Sequence, residues 1–236
     1  MIDAMTATQI TMLQDELRLQ SISQNIANMQ TPGYKRQILE SKGFAEQLQV
    51  NMATVSQQMQ THALDYQGSL VQSKRPLDIA LAGEGYFEVQ TNTGVSYTRR
   101  GDFHVNEEGE LSTATGAKLL GKNGTIRVDD NPFTIDANGA VFIDYHKIDQ
   151  INVVQFSKPH LLHTQGNGLF ESQENPRPVN SKTRVLQGYL EQSNVKSIDE
   201  MMEMVKTSRH FETSQRIIHT ADSLLSTAIH ELGTTS

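Results

Sequence analysis

The sequence predicts an α+β protein in which long N- and C-terminal helices pair as a coiled-coil-like inner domain around a central antiparallel all-β domain. Three features of the 236 residues indicate this fold. Thirteen of the sixteen glycines and five of the six prolines lie between Gly68 and Gly188. Because glycine and proline favour turns and weaken helix interiors, their distribution marks two uninterrupted ends. Apolar side chains recur at helical spacing in these ends, and short runs with strand character fill the middle.

The N-terminal segment has a heptad-like pattern of side chains. Six of the eight positions reached by alternating steps of three and four are apolar, which is typical of a helix packed against another helix. The eight positions are Met5, Thr8, Met12, Asp15, Leu19, Ile22, Ile26 and Met29. The pattern stops at Thr31-Pro32-Gly33, because proline lacks a backbone donor and disfavours a helical conformation in the residue before it. We therefore assign residues 1–36 to the N-terminal helix and turn of the inner domain.

The C-terminal segment has a similar pattern, which includes Met204 and Phe211. Ser197 precedes Glu200 by three residues, as in a capping box that opens a helix, and Gly233 is a suitable stop. We assign residues 187–236 to the C-terminal helix of the inner domain. The helix-packing candidates are Leu19, Ile22, Ile26, Ile218, Leu225 and Ile229.

The middle of the chain, residues 76–186, is the predicted β domain. Its short strands are separated by turn signals such as Asn-Gly, at a spacing of about ten residues. This spacing indicates an antiparallel sandwich or barrel-like meander rather than parallel β-α-β units. The predicted strands are Leu77–Leu81, Tyr86–Gln90, Val95–Thr98, Asp102–Val105, Glu110–Thr113, Thr125–Val128, Phe133–Ile135, Ala140–Ile143 and Ile151–Phe156. Residues 37–75 are interpreted as a partly extended connector, within which residues 41–66 give no clear pattern.

Composition excludes several classes of protein and of partner. The chain has no cysteine, which removes disulfide scaffolds, thiol nucleophiles and thiolate metal sites. A formal charge of −7 argues against nucleic acid as a partner. No run approaches the ~18 apolar residues of a membrane span, so we expect no direct membrane insertion. Asp3 stands where a secretory signal would be basic, so we expect no cleaved signal of that kind.

Motifs that would carry catalysis are incomplete. Gly83-Glu-Gly85 lacks the third glycine and the following helix of a dinucleotide fingerprint. His160 and His163 lack a third metal ligand, and Asp136 begins a calcium-like loop that lacks its terminal glutamate. No strand–serine–helix nucleophile elbow is present. The sequence therefore predicts that the protein is not an enzyme, with no catalytic residue, no metal, no cofactor and no small-molecule substrate.

Four ordered segments, spread over nearly the whole chain, carry a resemblance to a known family. They are Ala27–Arg36, Leu77–Val89, Tyr97–Phe103 with Gly109–Leu111 and Leu119–Gly121, and Gln187–Val195 followed by Glu200–Val205 and Arg209–Glu212. Together they resemble the signature segments of the bacterial flagellar basal-body rod and hook proteins. The order and spread of the four make the resemblance more specific than any one of them.

The resemblance implies a structural subunit of the flagellar basal-body rod. Such a subunit polymerises helically through its terminal helices to form the periplasmic drive shaft, after export through the flagellar type III apparatus without a cleaved signal peptide. Its implied partners are copies of itself and neighbouring rod proteins. The absence of tryptophan and of the Lys-Thr-Gly-Leu run of the distal rod protein favours the proximal rod protein that adjoins it. A distal rod or hook-type subunit is the alternative within the family.

The resemblance also selects candidate assembly residues. They are Asn28, Thr31, Pro32, Gly33, Tyr34, Lys35, Gly83, Gly85, Asn194, Val195, Glu200, Met201, Arg209 and Glu212. Pro32 and Gly33 are expected to set the turn toward the β domain, with Asn28 and Thr31 capping it. Arg209 and Glu212 are expected either to bridge neighbouring subunits or to form an intrahelical pair. The alternatives from other classes are an extracytoplasmic β-domain binding module and a cell-wall enzyme.

Overall fold

The structure, a computed structural model, describes residues 2–40, 60–129, 131–159, 162–180 and 182–234. Helix α1 spans Ile2–Ala27 and helix α2 spans Ser197–Thr234. Most of the connector segment without a clear pattern, residues 41–59, lies outside the described residues. The strands are β1 Gln37–Glu40, β2 Gln60–Ala63, β3 Leu70–Gln72, β4 Ile79–Ala82, β5 Tyr86–Thr91, β6 Gly94–Thr98, β7 His104–Val105, β8 Leu111–Ser112, β9 Lys118–Gly121, β10 Gly124–Thr125, β11 Phe133–Ile135, β12 Ala140–Ile143, β13 His146–Gln150, β14 Val153–Gln155, β15 His163–Gly166, β16 Leu169–Glu171, β17 Arg177–Pro178, β18 Arg184–Gln187 and β19 Tyr189–Glu191.

The chain divides into two compact units. The helical unit comprises Met1–Ala27, Gln37–Thr61 and Lys196–Ser236, and the β unit comprises Asn28–Arg36 and His62–Val195. Residues 28–36, which the sequence grouped with the first helix, therefore belong to the β unit. The strands β18 and β19 occupy residues that the sequence assigned to the C-terminal helix, so the helix begins ten residues after that boundary.

In the helical unit, α1 and α2 run antiparallel. The Asn25 amide donates to a Glu200 carboxylate oxygen at 3.1 Å, and Asp15 lies 2.5 Å from the His210 ring nitrogen, so residue numbers rise along α1 as they fall along α2. Ile22 lies buried on α1. No helix in the described ranges has the length and apolar character needed to cross a bilayer. A helix at each end of an otherwise β-rich chain confirms the predicted α+β class.

The inner face of α2 follows a seven-residue repeat. Glu200, Thr207 and Ser214 are buried at intervals of seven, and the half-buried Met204 and Phe211 alternate with them. The predicted seam shares Met204 and Phe211, but it continued through Ser208 and Gln215 instead of the buried Thr207 and Ser214. The sequence did not separate these choices, because all four side chains are polar and apolar periodicity cannot choose among them.

The β unit is built from antiparallel pairs wherever the register is described. Its largest sheet has ten strands in the order β15-β16-β6-β5-β9-β8-β7, with β10 on β9, β14 on β5 and β17 on β14. The smaller sheets are β11-β12-β13, β18-β4 and β19-β3. This arrangement confirms the predicted antiparallel β domain, and the last two pairs bring the chain beyond residue 184 back onto strands near residues 70 and 80.

An apolar core fixes β4, β5 and β6 beneath the site described below. Phe87 and Phe103 are fully buried and pack edge to face with their ring centroids 5.8 Å apart. A second buried cluster includes Tyr86 and Phe170, whose centroids are 5.6 Å apart. These aromatic contacts hold the segment from β4 to β6 in place, so the core fixes the positions of Gly83, Gly85 and Arg99.

The C-terminal end of α1 and the N-terminal end of α2 are determined by the residues next to them. Helix α1 ends at Ala27, before the predicted Thr31, because the next residues form a turn in which the Thr31 backbone amide donates to the Asn28 carbonyl at 3.1 Å. Helix α2 begins at Ser197, which confirms the start predicted from the capping box. At its other end the helix continues to Thr234, one residue past Gly233.

Candidate functional site

A buried cluster of three charged side chains lies in the β unit. Lys35 Nζ is 2.6 Å from Glu191 Oε1, and Arg99 Nη1 is 3.1 Å from Glu191 Oε2. The three side chains expose between 0% and 2% of their surface. One carboxylate thus accepts from two cations that come from distant parts of the chain.

Backbone groups add further hydrogen bonds to this cluster. Lys35 Nζ donates to the Tyr66 carbonyl at 2.9 Å, and the Gly68 backbone amide donates to Glu191 Oε1 at 3.0 Å. Arg99 Nη2 donates to the Gly83 carbonyl at 2.9 Å. Because a buried charge is tolerated only when it is paired and hydrogen-bonded, these contacts hold four chain segments in one arrangement.

Burial shifts the pKa values of two groups at this cluster. Burial lowers the pKa of Lys35, and the neighbouring Glu191 carboxylate opposes that change. Burial raises the pKa of Tyr86, whose hydroxyl donates to Asp65, and the Arg99 guanidinium lies 5.3 Å from the Tyr86 ring centroid. Arg99 Nε is buried and has no hydrogen-bond partner among the described residues. The charged groups face one another and the backbone, so this arrangement is suited to holding segments together.

The segment from Asn28 to Arg36, which we call the junction loop, enters this cluster through close backbone contact. Gly33 has φ +68°, and its amide donates to the Glu191 carbonyl at 2.7 Å. A Cβ atom at Gly33 would lie 2.4 Å from the Arg99 carbonyl carbon and oxygen. Only glycine therefore fits this position without displacing the backbone of Arg99. Tyr34 is buried beside it, and Pro32 is half-buried.

Asn194 ties the last strand of the β unit to the junction loop. Its Oδ1 accepts from the Arg36 amide at 2.6 Å, while its Nδ2 donates to the Leu64 and Tyr66 carbonyls at 3.0 and 2.9 Å. Asn194 is 6% exposed, and its side chain uses both its donor nitrogen and its acceptor oxygen in these bonds. Val195 follows as a half-buried residue whose amide donates to the Ser193 hydroxyl.

A second buried polar cluster lies in the helical unit. The Asn25 side chain exchanges two hydrogen bonds of 2.8 Å with the backbone of Gln37, and its Nδ2 also donates to Glu200. The Ser21 hydroxyl donates to the same Gln37 carbonyl at 3.1 Å. Glu200 is 0% exposed. Its carboxylate, in the first turn of α2, also interacts favourably with the positive end of the helix dipole. The cluster links the end of α1, the start of α2 and strand β1.

The predicted helix-packing residues fall in different environments. Ile22 is buried, and Leu19, Ile26 and Ile218 are half-buried. Leu225 is 37% exposed, so much of its side chain is free of its own chain. The side chain of Ile229 lies outside the described part of the structure.

The face of α2 opposite Glu200 and Thr207 is apolar and exposed. Four large side chains near the start of the helix are 52–71% exposed: Ile198, Met201, Met202 and Val205. We call these four residues the exposed stripe. Arg209 and Glu212 are exposed one to two turns later, and no ion pair joins them within the described residues. Of the two roles expected for this pair, the intrahelical bridge is therefore not formed.

The two remaining candidate glycines shape the turn between β4 and β5. Gly83 and Gly85 have φ values of +123° and +119°, and a Cβ at Gly83 would lie 2.9 Å from the Thr183 hydroxyl. The Gly83 carbonyl accepts the hydrogen bond from Arg99 described above. This turn is therefore part of the charge cluster. Of the histidines weighed as metal ligands, His160 lies outside the described residues and His163 begins β15. Within the described ranges, no three His, Asp or Glu side chains are grouped to hold a metal.

Sequence reasoning missed Glu191 and Arg99, although both lie within the segments that carry the family resemblance. For Glu191 the available signal was the charge itself, an acidic residue directly after Tyr189 and Leu190, where a buried charge needs a partner. Arg99 follows β6 and stands next to Arg100, so its charge gave no such signal. Pairing them with Lys35 required the fold, since Lys35 and Glu191 are 156 positions apart. Asn25 and His210 were missed for the same reason.

The terminal helices, the β unit and the exposed stripe fit a structural protein that assembles with other chains. Comparisons with known families agree. The family model described as the flagellar hook protein FlgE/F/G D1 domain matches residues 80–143, and the flagellar basal body rod FlgEFG protein C-terminal model matches residues 186–230.

Full-length relatives give the family. The flagellar basal-body rod protein FlgG of Bacillus subtilis is 31% identical, over 89% of this chain and 91% of that protein. The rod protein FlgF of Mesorhizobium japonicum is 27% identical over 94% of both chains, and FlgF of Salmonella typhimurium is 30% identical over 84% and 85%. The chain belongs to the flagellar basal-body rod protein family.

Proposed function

We propose that this chain is a structural subunit of the bacterial flagellar basal-body rod, of the proximal type, and has no catalytic activity. It polymerises helically through its terminal helices, which pair in a coiled-coil-like manner to form the inner tube of the periplasmic drive shaft. The observation that carries this proposal is the exposed stripe on α2, on a chain similar over 89% of its length to a rod protein.

The lengths of the two helices support a need for neighbours. Helix α2 has 38 residues and α1 has 26, so at ~1.5 Å per residue they are about 57 Å and about 39 Å long. The antiparallel contacts at Asn25 and Asp15, continued in the same register, place Ile2 opposite roughly position 223. The last turns of α2, where Leu224 is 62% exposed, therefore extend beyond α1. Packing against helices of adjacent subunits covers them in the proposed tube.

The charges on α2 fit the same assembly. Arg209 and Glu212 are exposed and unpaired with each other, so we assign them to contacts between neighbouring subunits. The proposed partners are other copies of the chain and adjacent rod proteins. The proximal level rests on the absence of tryptophan and of the distal protein's Lys-Thr-Gly-Leu run. The proposed route to the periplasm is the flagellar type III export apparatus, without a cleaved signal peptide.

Complementation of a deletion strain tests the structural role. A Leu225→Pro chain breaks α2 where it leaves α1, because proline removes a helical hydrogen bond and clashes with the preceding turn. We expect it to be absent from purified basal bodies and to leave cells non-motile. The matched control, Leu225→Ala, keeps the helix and should enter basal bodies. Normal motility and incorporation of Leu225→Pro would refute the role of the helix in assembly.

A further inference from the structure

The hairpin between β12 and β13 has an unusual tip. Ile143 pairs with His146, so the loop has only two residues, Asp144 and Tyr145. Both have positive φ, +47° and +66°, the conformation in which such hairpins favour Asn-Gly. The Tyr145 side chain is 100% exposed. A large aromatic residue thus occupies a position that glycine suits better.

Packing within the subunit does not explain Tyr145. A bulky residue in the left-handed region is strained, and strain of this kind is retained where the surroundings or the function require it. A fully exposed ring gains no contact from its own chain in return. A contact of the ring with a second subunit would offset this strain.

The same β unit contains a pocket of about 540 Å³. Val153, Pro178 and Val179 contribute apolar walls, and Lys122 and Arg177 are among its charged lining residues. Pockets of roughly 300–1,000 Å³ hold drug-sized ligands, so this one has room for an aromatic side chain and part of the turn that carries it.

Tyr145 cannot fill this pocket in its own subunit. The pocket is lined by Asn138 and Gln150, which lie at the base of the hairpin whose tip carries Tyr145. About five residues of extended strand, some 15 Å, separate the base from the tip. The projecting ring and the pocket are therefore distinct surfaces of one chain.

We propose that Tyr145 of one subunit inserts into the pocket beside Pro178 and Val179 of a second copy. The charges match: Asp144 at the tip meets Lys122 and Arg177 at the pocket, and Lys147, on β13 two residues beyond the tip, has Glu88 as its counterpart. Because the two surfaces differ, the contact is heterologous, and in the proposed helical rod, where successive copies do not close a ring, it repeats from copy to copy. The inference rests on the proposed rod function and names one contact through which the β units of successive copies meet.

Cysteine cross-linking in assembled basal bodies tests this contact, since the natural chain has no cysteine. A chain with Tyr145→Cys and Val179→Cys is expected to give a ladder of disulfide-linked dimers and higher oligomers on mild oxidation. Each single variant should give no ladder. The matched control pairs Tyr145→Cys with Thr115→Cys, an exposed position outside the pocket lining, and should also give none.

A second variant separates assembly from folding. Tyr145→Gly relieves the strained turn, so the melting temperature of the isolated chain should stay equal or rise, while incorporation into basal bodies should fall several-fold. Wild-type incorporation of Tyr145→Gly overturns the contact. So does an equal ladder from the control pair, or no ladder from Tyr145→Cys with Val179→Cys in basal bodies that contain it. If the unmodified chain is absent from basal bodies, the proposed function fails as well, which distinguishes the two failures.

Discussion

Lys35 Nζ lies 2.6 Å from Glu191 Oε1, although the two residues are 156 positions apart and both side chains are buried. The contact closes the junction loop, which directly follows α1, onto the strand that shortly precedes α2. A buried ion pair is weak evidence for net stability, but it strongly disfavours any arrangement in which one partner is left alone. We interpret the pair as the link that holds the junction loop against β19 within the β unit.

Lys35→Met should destabilise the β unit by about 3 kcal/mol, because it leaves Glu191 buried with Arg99 as its one remaining cation. The matched control is Arg127→Met, which removes an exposed cation from Asp129 and should cost less than about 1 kcal/mol. Denaturant unfolding of each variant measures both free energies. Equal losses for the two would show that burial adds nothing to the Lys35 pair.

Gly33→Ala should lower the free energy of unfolding by about 1–3 kcal/mol more than Gly116→Ala. Both glycines have positive φ, +68° and +83°, so both substitutions carry similar conformational strain. A new Cβ meets the Arg99 backbone at 2.4 Å in the first case and has nothing within 4 Å in the second. The difference between the variants isolates the clash, and a difference near zero would mean that the junction loop does not press on Arg99.

The free energy of unfolding at acidic pH should depend on Glu110. Hydrogen bonds from Lys118 and Thr125 lower the pKa of Glu110 to about 2 from the model-peptide value of 4.5. A carboxyl whose pKa is lowered by folding contributes stability above 4.5 and loses it as the pH falls toward 2. Glu110→Gln should therefore flatten the fall in unfolding free energy between these pH values. Glu107→Gln, an exposed change in the preceding turn, is the control and must retain the wild-type slope.

Asn25→Ala should loosen the start of α2 through the helical unit. The change removes the amide that bridges the Gln37 backbone and the buried Glu200 carboxylate. Loss of hydrogen bonds to such buried groups should lower the free energy of unfolding by about 1–3 kcal/mol. Hydrogen exchange of the amides in the first turns of α2 should become faster. Gln20→Ala, on the exposed face of α1, should leave that exchange unchanged. Equal exchange in both variants would contradict a role for Asn25 in joining the helices.

Val205→Glu should separate folding from assembly on the exposed stripe. Val205 is 52% exposed, so the melting temperature of the isolated chain should change little. Burying the new carboxylate between subunits is unfavourable, so incorporation into basal bodies should be lost. Gln215→Glu adds the same charge at an exposed polar position and serves as the control. Full incorporation of Val205→Glu would place the stripe outside the subunit contacts.

The sequence predicted the main elements of the fold because those elements have strong local signals. The absence of glycine and proline from long stretches at the two ends of the chain identified both helices. Ser197 with Glu200 identified where α2 begins. The strands from β15 to β19 were missed since they are short, and strands such as His163–Gly166 carry few apolar residues. Their positions follow from pairing with β4, β6 and β14, which local periodicity does not encode.

The candidate site was predicted only in part, because its chemistry depends on long-range contacts. Lys35 was selected through the family resemblance, while its partner Glu191 was not. Asp15 looked like a defect in the apolar pattern of α1, yet it is buried and contacts His210. A polar residue that interrupts a helical seam therefore predicts a partner on the facing helix, but it does not say which one.

The most direct test of the rod role is an electron cryo-microscopy image of basal bodies from cells that lack this chain. If the chain is a proximal rod subunit, the rod should end before its distal segment, and expression of the wild-type chain should restore its full length. A rod of normal length, complete through the distal segment in the absence of the chain, would contradict the proposal.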